Sequence, residues 1–237
     1  MLLAPSRVSP GQLANHLDTL LRAEIPTLTA DSFLAGQAPG VLLTLDDGTE
    51  DCHIHRAIFA ERGLRPVVFV PVGWVGRSNR WEWPIPGRGT RHLSALQMRE
   101  LVGLGWEIGL HGATHQALAG RDDALLSLEI DEGKDRLEQL TGQAARLFSY
   151  PYGLADSRVA ARVRAAGFEA AFTLAGLGRA SNRWLHPRRP VYCIDTAGAL
   201  LAKVRDPGGA TWRGRFESWK EAGAHGVGRL AVRLAGG

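Results

Sequence analysis

VLLTLDDG, residues 41–48, is the stretch that indicates the fold of this chain. Five residues that favour a buried strand, Val41 to Leu45, run directly into two adjacent carboxylates and a glycine. Short apolar runs of this kind recur further along the chain, and longer amphipathic segments lie between them. That alternation is typical of βα units arranged around a parallel sheet or barrel.

The remaining elements are predicted outward from this stretch. The predicted strands are 41–45, 66–72, 106–110, 146–150, 169–174 and 190–194. The predicted helices are 10–24, 50–62, 94–104, 122–140, 156–166, 196–204 and 213–222. Ser94 with Gln97 forms a capping box, Asp156 is an N-cap, and four glycines follow helix ends: Gly63, Gly105, Gly142 and Gly167. The alternation of helix, glycine and strand is not accompanied by an internal sequence repeat. This absence of a repeat favours one barrel-like domain over a solenoid.

The composition is that of an ordinary globular protein. Of the 237 residues, 45% are hydrophobic and 22% are charged, which excludes disordered, collagen-like and disulfide-scaffold classes. Cys52 and Cys193 can form at most one bridge, so they do not indicate a redox compartment. The net charge of +4 is mild and its arginines are spread along the chain, so we expect no nucleic-acid binding.

The sequence shows neither a signal peptide nor an apolar run of about 18 residues. We therefore expect no stable membrane insertion, and a cytoplasmic protein unless a leader was removed. The oligomeric state is not indicated.

Polar residues follow three of the predicted strands, where ligands bind in α/β folds. The first group is Asp46-Asp47-Gly48. Adjacent carboxylates at the end of an apolar strand repel each other unless a cation or a proton lies between their charges. A surface turn is the alternative, because Asp-Asp-Gly suits turns.

The second group is His111 and His115, and the third is the run 148–153, FSYPYG. Two histidines four residues apart converge on one metal ion if the segment turns helically, whereas exposed or hydrogen-bonded histidines are the alternative. Joined by Asp47, they would supply three ligands and leave a position open for water. In the third group, proline and glycine fix a rigid turn whose backbone N–H can point inward, as an oxyanion hole requires.

In this order, Asp-Asp-Gly, His-x-x-x-His and Pro-Tyr-Gly, the chain resembles the polysaccharide deacetylase family, also called the chitooligosaccharide deacetylase homology domain. The resemblance runs from about Arg7 to Ile194 and is nearest to the exopolysaccharide-deacetylase-like branch. It implies an α/β fold, a distorted (β/α) barrel of about seven parallel strands in a single domain. We assign residues 1–206 to the barrel and 207–237 to a C-terminal helix or tail.

The resemblance also implies roles for individual residues. Asp46 would be the general base that activates water. Asp47, His111 and His115 would bind one divalent metal ion, with zinc expected and nickel, cobalt or manganese as alternatives. The backbone N–H of Tyr152 would stabilise the tetrahedral oxyanion.

Three departures from the family pattern affect this assignment. Ser149 stands where many members have arginine, and Arg188 is the candidate to pair with Asp46 instead, the alternative being a surface strand end. Ser6 stands where the related branch has its general-acid histidine, and His186 is the candidate substitute. Gly112 stands where the family usually has serine or threonine, which predicts a modest loss of metal affinity.

Substrate contacts are predicted for Pro151 and for three tryptophans that follow the second strand, Trp74, Trp81 and Trp83. Packing in the core or rim is an equal alternative for the tryptophans. The expected function is metal-dependent removal of acetyl groups, N-acetyl first, from an amino-sugar-containing carbohydrate or glycoside. The alternatives are a family member that binds a glycan or a partner without turnover, and an amide hydrolase of a small soluble metabolite.

Overall fold

The computed structural model describes residues 8–36, 39–78, 91–174 and 182–205. The chain divides into two compact units, residues 1–194 and residues 195–237. The first unit contains the sheets and the helices α1 to α8, and the second is described only as far as residue 205, where it contains the helix α9 (Ala197–Arg205). The predicted boundary at 206/207 and the predicted helix 213–222 therefore lie at or outside the described residues.

Six parallel strands form one curled sheet, in which every strand pairs with its neighbour in the chain. Their bounds are β3 Thr44–Leu45, β4 Val67–Val70, β5 Glu107–Leu110, β6 Leu147–Ser149, β7 Ala170–Leu174 and β8 His186–Arg188. A separate parallel pair consists of β1 (Thr27–Leu28) and β2 (Val41–Leu42). The predicted α/β fold with a distorted (β/α) barrel is confirmed, with six strands in the described part of the curled sheet where about seven were expected.

Helices lie between most successive strands. Their bounds are α1 Pro10–Arg22, α2 Ala30–Ala35, α3 Asp51–Ile54, α4 Arg56–Ala60, α5 Ala95–Gly103, α6 Asp123–Leu126, α7 Gly133–Thr141 and α8 Ser157–Ala165. Of these, α5 and α8 begin at the predicted caps Ser94 and Asp156. A π-helical segment, Ser127–Glu132, joins α6 to α7, and 3₁₀ turns cover Val72–Trp74 and Pro151–Gly153. Ser94 and Gln97 form the predicted capping box. Among the helices described, none is long and apolar enough to cross a membrane.

Four predicted elements differ from the structure. The predicted strand 41–45 divides into β2 and β3, which belong to separate sheets, and the predicted helix 122–140 is interrupted by the π-helical segment. The predicted helix 50–62 breaks at His55, which has φ −97° and ψ 14°. The predicted strand 190–194 is wrong, because the last strand is β8 at His186–Arg188. Pro187 is compatible with β8 because, among the described strands, β8 pairs only with β7, so one side of it needs no ladder hydrogen bond. The apolar run behind the wrong prediction is partly exposed, with Ile194 64% accessible.

Side chains alternate between the two faces of the curled sheet. One face packs against the helices and carries Val68, Val70, Ile108, Leu110, Phe148 and Ala171. The other face carries Val67, Phe69, Leu147, Ala170 and Phe172, with Phe33 and Leu34 of α2 packed against them. Because successive strand residues point to opposite faces, Ser149 shares the second face with Leu147. The carboxyl ends of all six strands meet at one edge, which is where the polar segments lie.

Candidate active site

The polar segments that follow β3, β5 and β6 meet at the carboxyl edge of the sheet. Oδ1 of Asp47 lies 3.2 Å from Nε2 of His115 and 3.6 Å from Nε2 of His111. One ligand atom from each of these three residues lies within 4.8 Å of the others. The structure therefore brings together the three residues predicted to bind metal.

The orientation of His111 suits a metal ligand. Its side chain is buried, and Nδ1 lies 2.7 Å from the backbone oxygen of Ser149, so Nδ1–H donates to that carbonyl. Nε2 is then the nitrogen that carries the lone pair, and it lies 3.6 Å from Oδ1 of Asp47. A backbone carbonyl that fixes the tautomer of a histidine ligand in this way is a common feature of metal sites. Two imidazoles and one carboxylate are a donor set that fits zinc and similar divalent ions.

Burial and the neighbouring charges act in opposite directions on this group. Burial raises the pKa of Asp47, but the hydrogen bond from His115 and the charges of the two histidines outweigh it, so the pKa lies below its usual value. Burial also lowers the pKa of His111. Both shifts favour the deprotonated forms that a cation requires.

The backbone of the site is held in an uncommon conformation. Outside glycine, four described residues have positive φ, and three of them are Asp47 (67°), His115 (65°) and Tyr152 (59°). A left-handed conformation costs a residue with a side chain about 1–3 kcal/mol and persists only where the surroundings enforce it. Such residues cluster at functional sites, so this observation supports the assignment independently of residue type.

His92 and Leu93 hold the turn that carries Asp47. The Nδ1 atom of His92 lies 2.7 Å from the backbone oxygen of Asp47, and the ring is 1% exposed. The N–H of Leu93 donates to the oxygen of Gly48 at 2.8 Å. Gly48 has φ 52°, and a Cβ there would lie 2.8 Å from Val70. The turn after β3 is therefore fixed by hydrogen bonds to His92 and Leu93 and by close packing of Gly48 against Val70.

Asp46 points to a different partner from Asp47. Its two carboxylate oxygens each accept one hydrogen bond from Arg188, at 2.8 Å from Nη1 and 2.8 Å from Nη2. Arg188 also donates to the hydroxyl of Thr44 at 2.9 Å and to that of Ser149 at 2.7 Å. Ser149, at the position where the resemblance led us to expect arginine, thus helps to hold the arginine that comes from β8.

Arg188, which lies against two aromatic rings, keeps the Asp46 carboxylate ionised. Its guanidinium lies 5.2 Å from the ring centre of Phe69 and 5.6 Å from that of Phe172, on the second face of the sheet. Burial raises the pKa of Asp46, but the charge and hydrogen bonds of Arg188, with the nearby histidines, lower it to about 2. About a third of the Asp46 side chain remains accessible, so water can reach the carboxylate.

The third segment lies against the histidines. The ring of Tyr152 is 4.8 Å from that of His115, and the residue is 51% exposed. Pro151 is buried, and its Cγ lies 3.5 Å from the place that a Cβ on Gly112 would occupy. The Pro-Tyr-Gly turn therefore lies beside the group formed by Asp47, His111 and His115.

The remaining predicted residues are less central in the structure. Trp74 donates its indole N–H to the backbone oxygen of Thr114 at 3.2 Å, beside the ring of His92. His186 lies on β8 two residues before Arg188, with its ring 5.4 Å from Phe33 and 5.7 Å from Phe172. Trp81 and Trp83 lie outside the described residues, as does Ser6.

Sequence reasoning missed two buried residues at this site, His92 and Glu129. Glu129 accepts hydrogen bonds from Thr114, which precedes the second histidine. The sequence pattern could have indicated that Glu129 is buried, because Glu129 lies on the same helix face as the apolar residues Leu126, Ile130 and Leu137. His92 had no comparable signal, since it lies in a loop ahead of the capping box of α5.

Comparison with known proteins agrees with this geometry. Residues 35–171 match the model of the polysaccharide deacetylase family. No curated protein matches the chain. Among solved structures, IcaB from Ammonifex degensii is 26% identical with a TM-score of 0.70, covering 86% of this chain and 93% of its own. The Streptococcus pyogenes deacetylase PplD, solved in complex with acetate, is 18% identical with a TM-score of 0.72, covering 85% and 89%.

A polysaccharide deacetylase from Bacillus cereus is 18% identical with a TM-score of 0.69, and the match covers 86% of this chain. The match spans 64% of the length of that protein. The family match extends over more than half of the present chain, from before β2 into β7, and includes Asp46, Asp47, both histidines and the Pro-Tyr-Gly turn. On these grounds the chain belongs to the polysaccharide deacetylase family.

Proposed function

We propose that this protein is a metal-dependent hydrolase that removes acetyl groups from an amino-sugar-containing carbohydrate or glycoside. The N-acetyl group is the leading candidate for the group removed. The observation that carries the proposal is the pairing of two adjacent aspartates with different partners. Asp47 faces His111 and His115, whereas Asp46 faces Arg188. One carboxylate is thus available to a cation and the other to a proton.

Asp47, His111 and His115 would hold the metal ion. A divalent ion there supplies a Lewis acid that polarises an acyl carbonyl and makes water more acidic. Zinc is the ion we expect for this donor set, with nickel, cobalt and manganese as alternatives. The tautomer of His111 set by Ser149 keeps one nitrogen of the ligand set in the required direction.

Asp46 is proposed as the general base. Arg188 keeps the carboxylate ionised and fixes its plane by bonding both oxygens. Oδ1 also accepts from the Ser149 hydroxyl at 3.5 Å, so Oδ2 is the oxygen whose second lone pair can accept a proton from water. A carboxylate held so firmly is a weak base, so it depends on water that is already acidified. General base catalysis of this kind contributes about 10²–10⁴-fold to a rate.

Tyr152 is proposed to stabilise the oxyanion through its backbone N–H. The left-handed conformation at Tyr152 turns the peptide at this point, and the ring lies against His115. The loss of one such donor costs about 10²–10³-fold in kcat in comparable sites. Pro151 fixes the turn and lies at the wall where we propose that substrate is bound, with Trp74, Trp81 and Trp83 as further proposed sugar contacts.

His186 is proposed as the general acid. It shares a strand and a face with Arg188. Burial lowers the pKa of His186, and the charge of Arg188 lowers it further, which disfavours the imidazolium that donates a proton. A His186→Gln variant with unchanged kcat would remove His186 from the mechanism, and a loss of about 10²–10⁴-fold would assign it the acid role.

The experiment that tests the function is an acetate assay on the purified, metal-loaded protein. The substrates are N-acetylated chito-oligosaccharides, an O-acetylated sugar and a small N-acetylated amine, so that the panel separates carbohydrate from metabolite amide. Release of acetate from the oligosaccharides supports the proposal. If none of these substrates yields acetate while the protein binds the oligosaccharide, the chain is a glycan-binding member of the family without turnover.

A further inference from the structure

A buried glutamate lies directly beneath the segment that joins the two histidines. Glu129 is 0% exposed and belongs to the π-helical segment Ser127–Glu132. Its Oε2 accepts the backbone N–H of Thr114 at 2.9 Å, and its Oε1 accepts the hydroxyl of Thr114. Gln116 donates to the same hydroxyl oxygen at 3.0 Å, which directs the hydroxyl hydrogen towards the carboxylate.

The opposite side of the same segment is held by the 3₁₀ turn after β4. The backbone oxygens of Gly112 and Ala113 accept from the N–H groups of Val72 at 3.3 Å and Gly73 at 2.7 Å. The oxygen of Thr114 accepts from the indole of Trp74 at 3.2 Å. The carbonyls between the histidines are thus bound by the 3₁₀ turn Val72–Trp74, and the N–H of Thr114 is bound by Glu129.

Gly112 leaves the space that the carboxylate uses. It has φ 71°, and a Cβ built on it would lie 2.7 Å from Oε2 of Glu129. A side chain at position 112 and the carboxylate at its present place are therefore incompatible. This contact accounts for a glycine where family members usually have serine or threonine, since Glu129 does here what a local hydroxyl does in holding a turn.

We propose that Glu129 is a positioning residue that holds the His111–His115 turn in its metal-binding arrangement, and that Gly112 is its steric counterpart. The inference rests on the proposed function in so far as the turn binds a metal ion. A carboxylate without a cationic partner is costly to bury, and a divalent ion one residue away from its hydrogen-bond donor would offset that cost. The charge of Glu129 therefore acts on the ligands through Thr114 and not by direct contact.

The test compares Glu129→Gln with Glu132→Gln in the full chain. Both residues belong to the same π-helical segment and both changes remove one negative charge, but Glu132 is exposed. Cobalt(II) is titrated into metal-free protein and its visible absorption bands are recorded. We expect Glu129→Gln to weaken cobalt binding about 10–100-fold and to change the band positions, with Glu132→Gln like the wild type. Equal affinities and spectra in all three proteins overturn the inference.

A second measurement separates this inference from the metal proposal. Hydrogen exchange of the Thr114 amide is followed in metal-free wild type, Glu129→Ala and Glu132→Gln, with thermal unfolding as the check on folding. Faster exchange confined to residues 111–116 in Glu129→Ala supports the positioning role, and unchanged exchange overturns it. If the wild type binds no cobalt, the proposed function fails, and the exchange result still decides the role of Glu129.

The steric pairing is tested by a double-mutant cycle between Gly112→Ala and Glu129→Ala. The strain of an alanine at positive φ is present in both backgrounds, so it cancels from the coupling. We expect Gly112→Ala to raise the dissociation constant for cobalt in both backgrounds, by a factor about threefold or more larger in the wild type than in Glu129→Ala. Equal factors in the two backgrounds overturn the pairing.

Discussion

Arg188 and Asp46 form a two-pronged ion pair in which each guanidinium nitrogen contacts a different carboxylate oxygen, both at 2.8 Å. Arg188 ends β8 and Asp46 follows β3, and these are the last and first strands of the curled sheet. The pair therefore links the two edges of the sheet as well as fixing the proposed base. Arg188 also reaches Thr44 on β3, so the link consists of several hydrogen bonds.

The first prediction concerns Arg188→Met. Without the guanidinium, the Asp46 carboxylate loses the charge and the hydrogen bonds of its ion-pair partner, so its pKa rises from about 2. Because Asp46 must be ionised to accept a proton, the acid limb of the kcat/KM profile moves to higher pH. The variant also loses the two hydrogen bonds that fix the plane of the carboxylate, so we expect kcat to fall about 10²-fold at pH 7 with KM nearly unchanged. The measurement is the pH dependence of acetate release between pH 4 and 9, with Arg189→Met as the control.

The second prediction concerns His92→Phe. Phenylalanine keeps a ring beside Trp74 but removes the hydrogen bond to the backbone oxygen of Asp47. We expect the affinity for zinc to fall about 10–100-fold, as for other groups that orient a ligand. Competition with a chromophoric chelator measures the affinity. Zinc binding as tight as in the wild type would show that the Asp47 turn holds its conformation without His92.

The third prediction concerns two glycine substitutions outside the site. A Cβ on Gly109 in β5 would lie 2.5 Å from Phe69 and 2.8 Å from the oxygen of Leu147, whereas a Cβ on Gly103 in α5 would meet nothing within 4 Å. We expect Gly109→Ala to lower the free energy of unfolding by about 1–3 kcal/mol. Gly103→Ala should raise it by up to about 1 kcal/mol. Urea unfolding of both variants gives the two values, and the opposite order would contradict the packing of the sheet's second face.

The sequence was sufficient to predict the βα architecture and the convergence of the three residues that we propose as metal ligands. Asp47, His111 and His115 follow strands whose carboxyl ends meet at one edge, so local patterns already implied their convergence. The pairing of Arg188 with Asp46 could be predicted only from the resemblance to the family, because nothing in residues 186–190 indicates that β8 and β3 approach each other. The predicted strand 190–194 followed apolar residues that the structure leaves partly exposed.

The supports of the site could not be predicted for a physical reason. His92 and Glu129 act through backbone atoms of other segments, and such contacts depend on tertiary packing without a residue pattern of their own. The left-handed conformations of Asp47, His115 and Tyr152 are likewise imposed by the surroundings, against the preference of each residue. Of these residues, only Glu129 was indicated by a sequence pattern, because it is a charged residue within a stripe of apolar residues.

The fourth prediction separates the two adjacent aspartates. Asp46→Asn should retain one zinc ion per chain, because Asp47 and the histidines are intact, but should release acetate about 10²–10⁴-fold more slowly. Asp47→Asn should lose both zinc and activity, because it removes the carboxylate ligand. Metal analysis of the gently purified variants, combined with the acetate assay, distinguishes the two roles. Loss of zinc in Asp46→Asn would show that the roles have been assigned to the wrong aspartates.

The central claim is that acetate release depends on a divalent ion held by Asp47, His111 and His115. It is tested most directly by measuring acetate release from an N-acetylated chito-oligosaccharide before chelation, after chelation and after the return of one equivalent of zinc. The account predicts activity that falls at least about 100-fold on chelation and returns with one ion per chain. A chelated protein that releases acetate at the undiminished rate would contradict it.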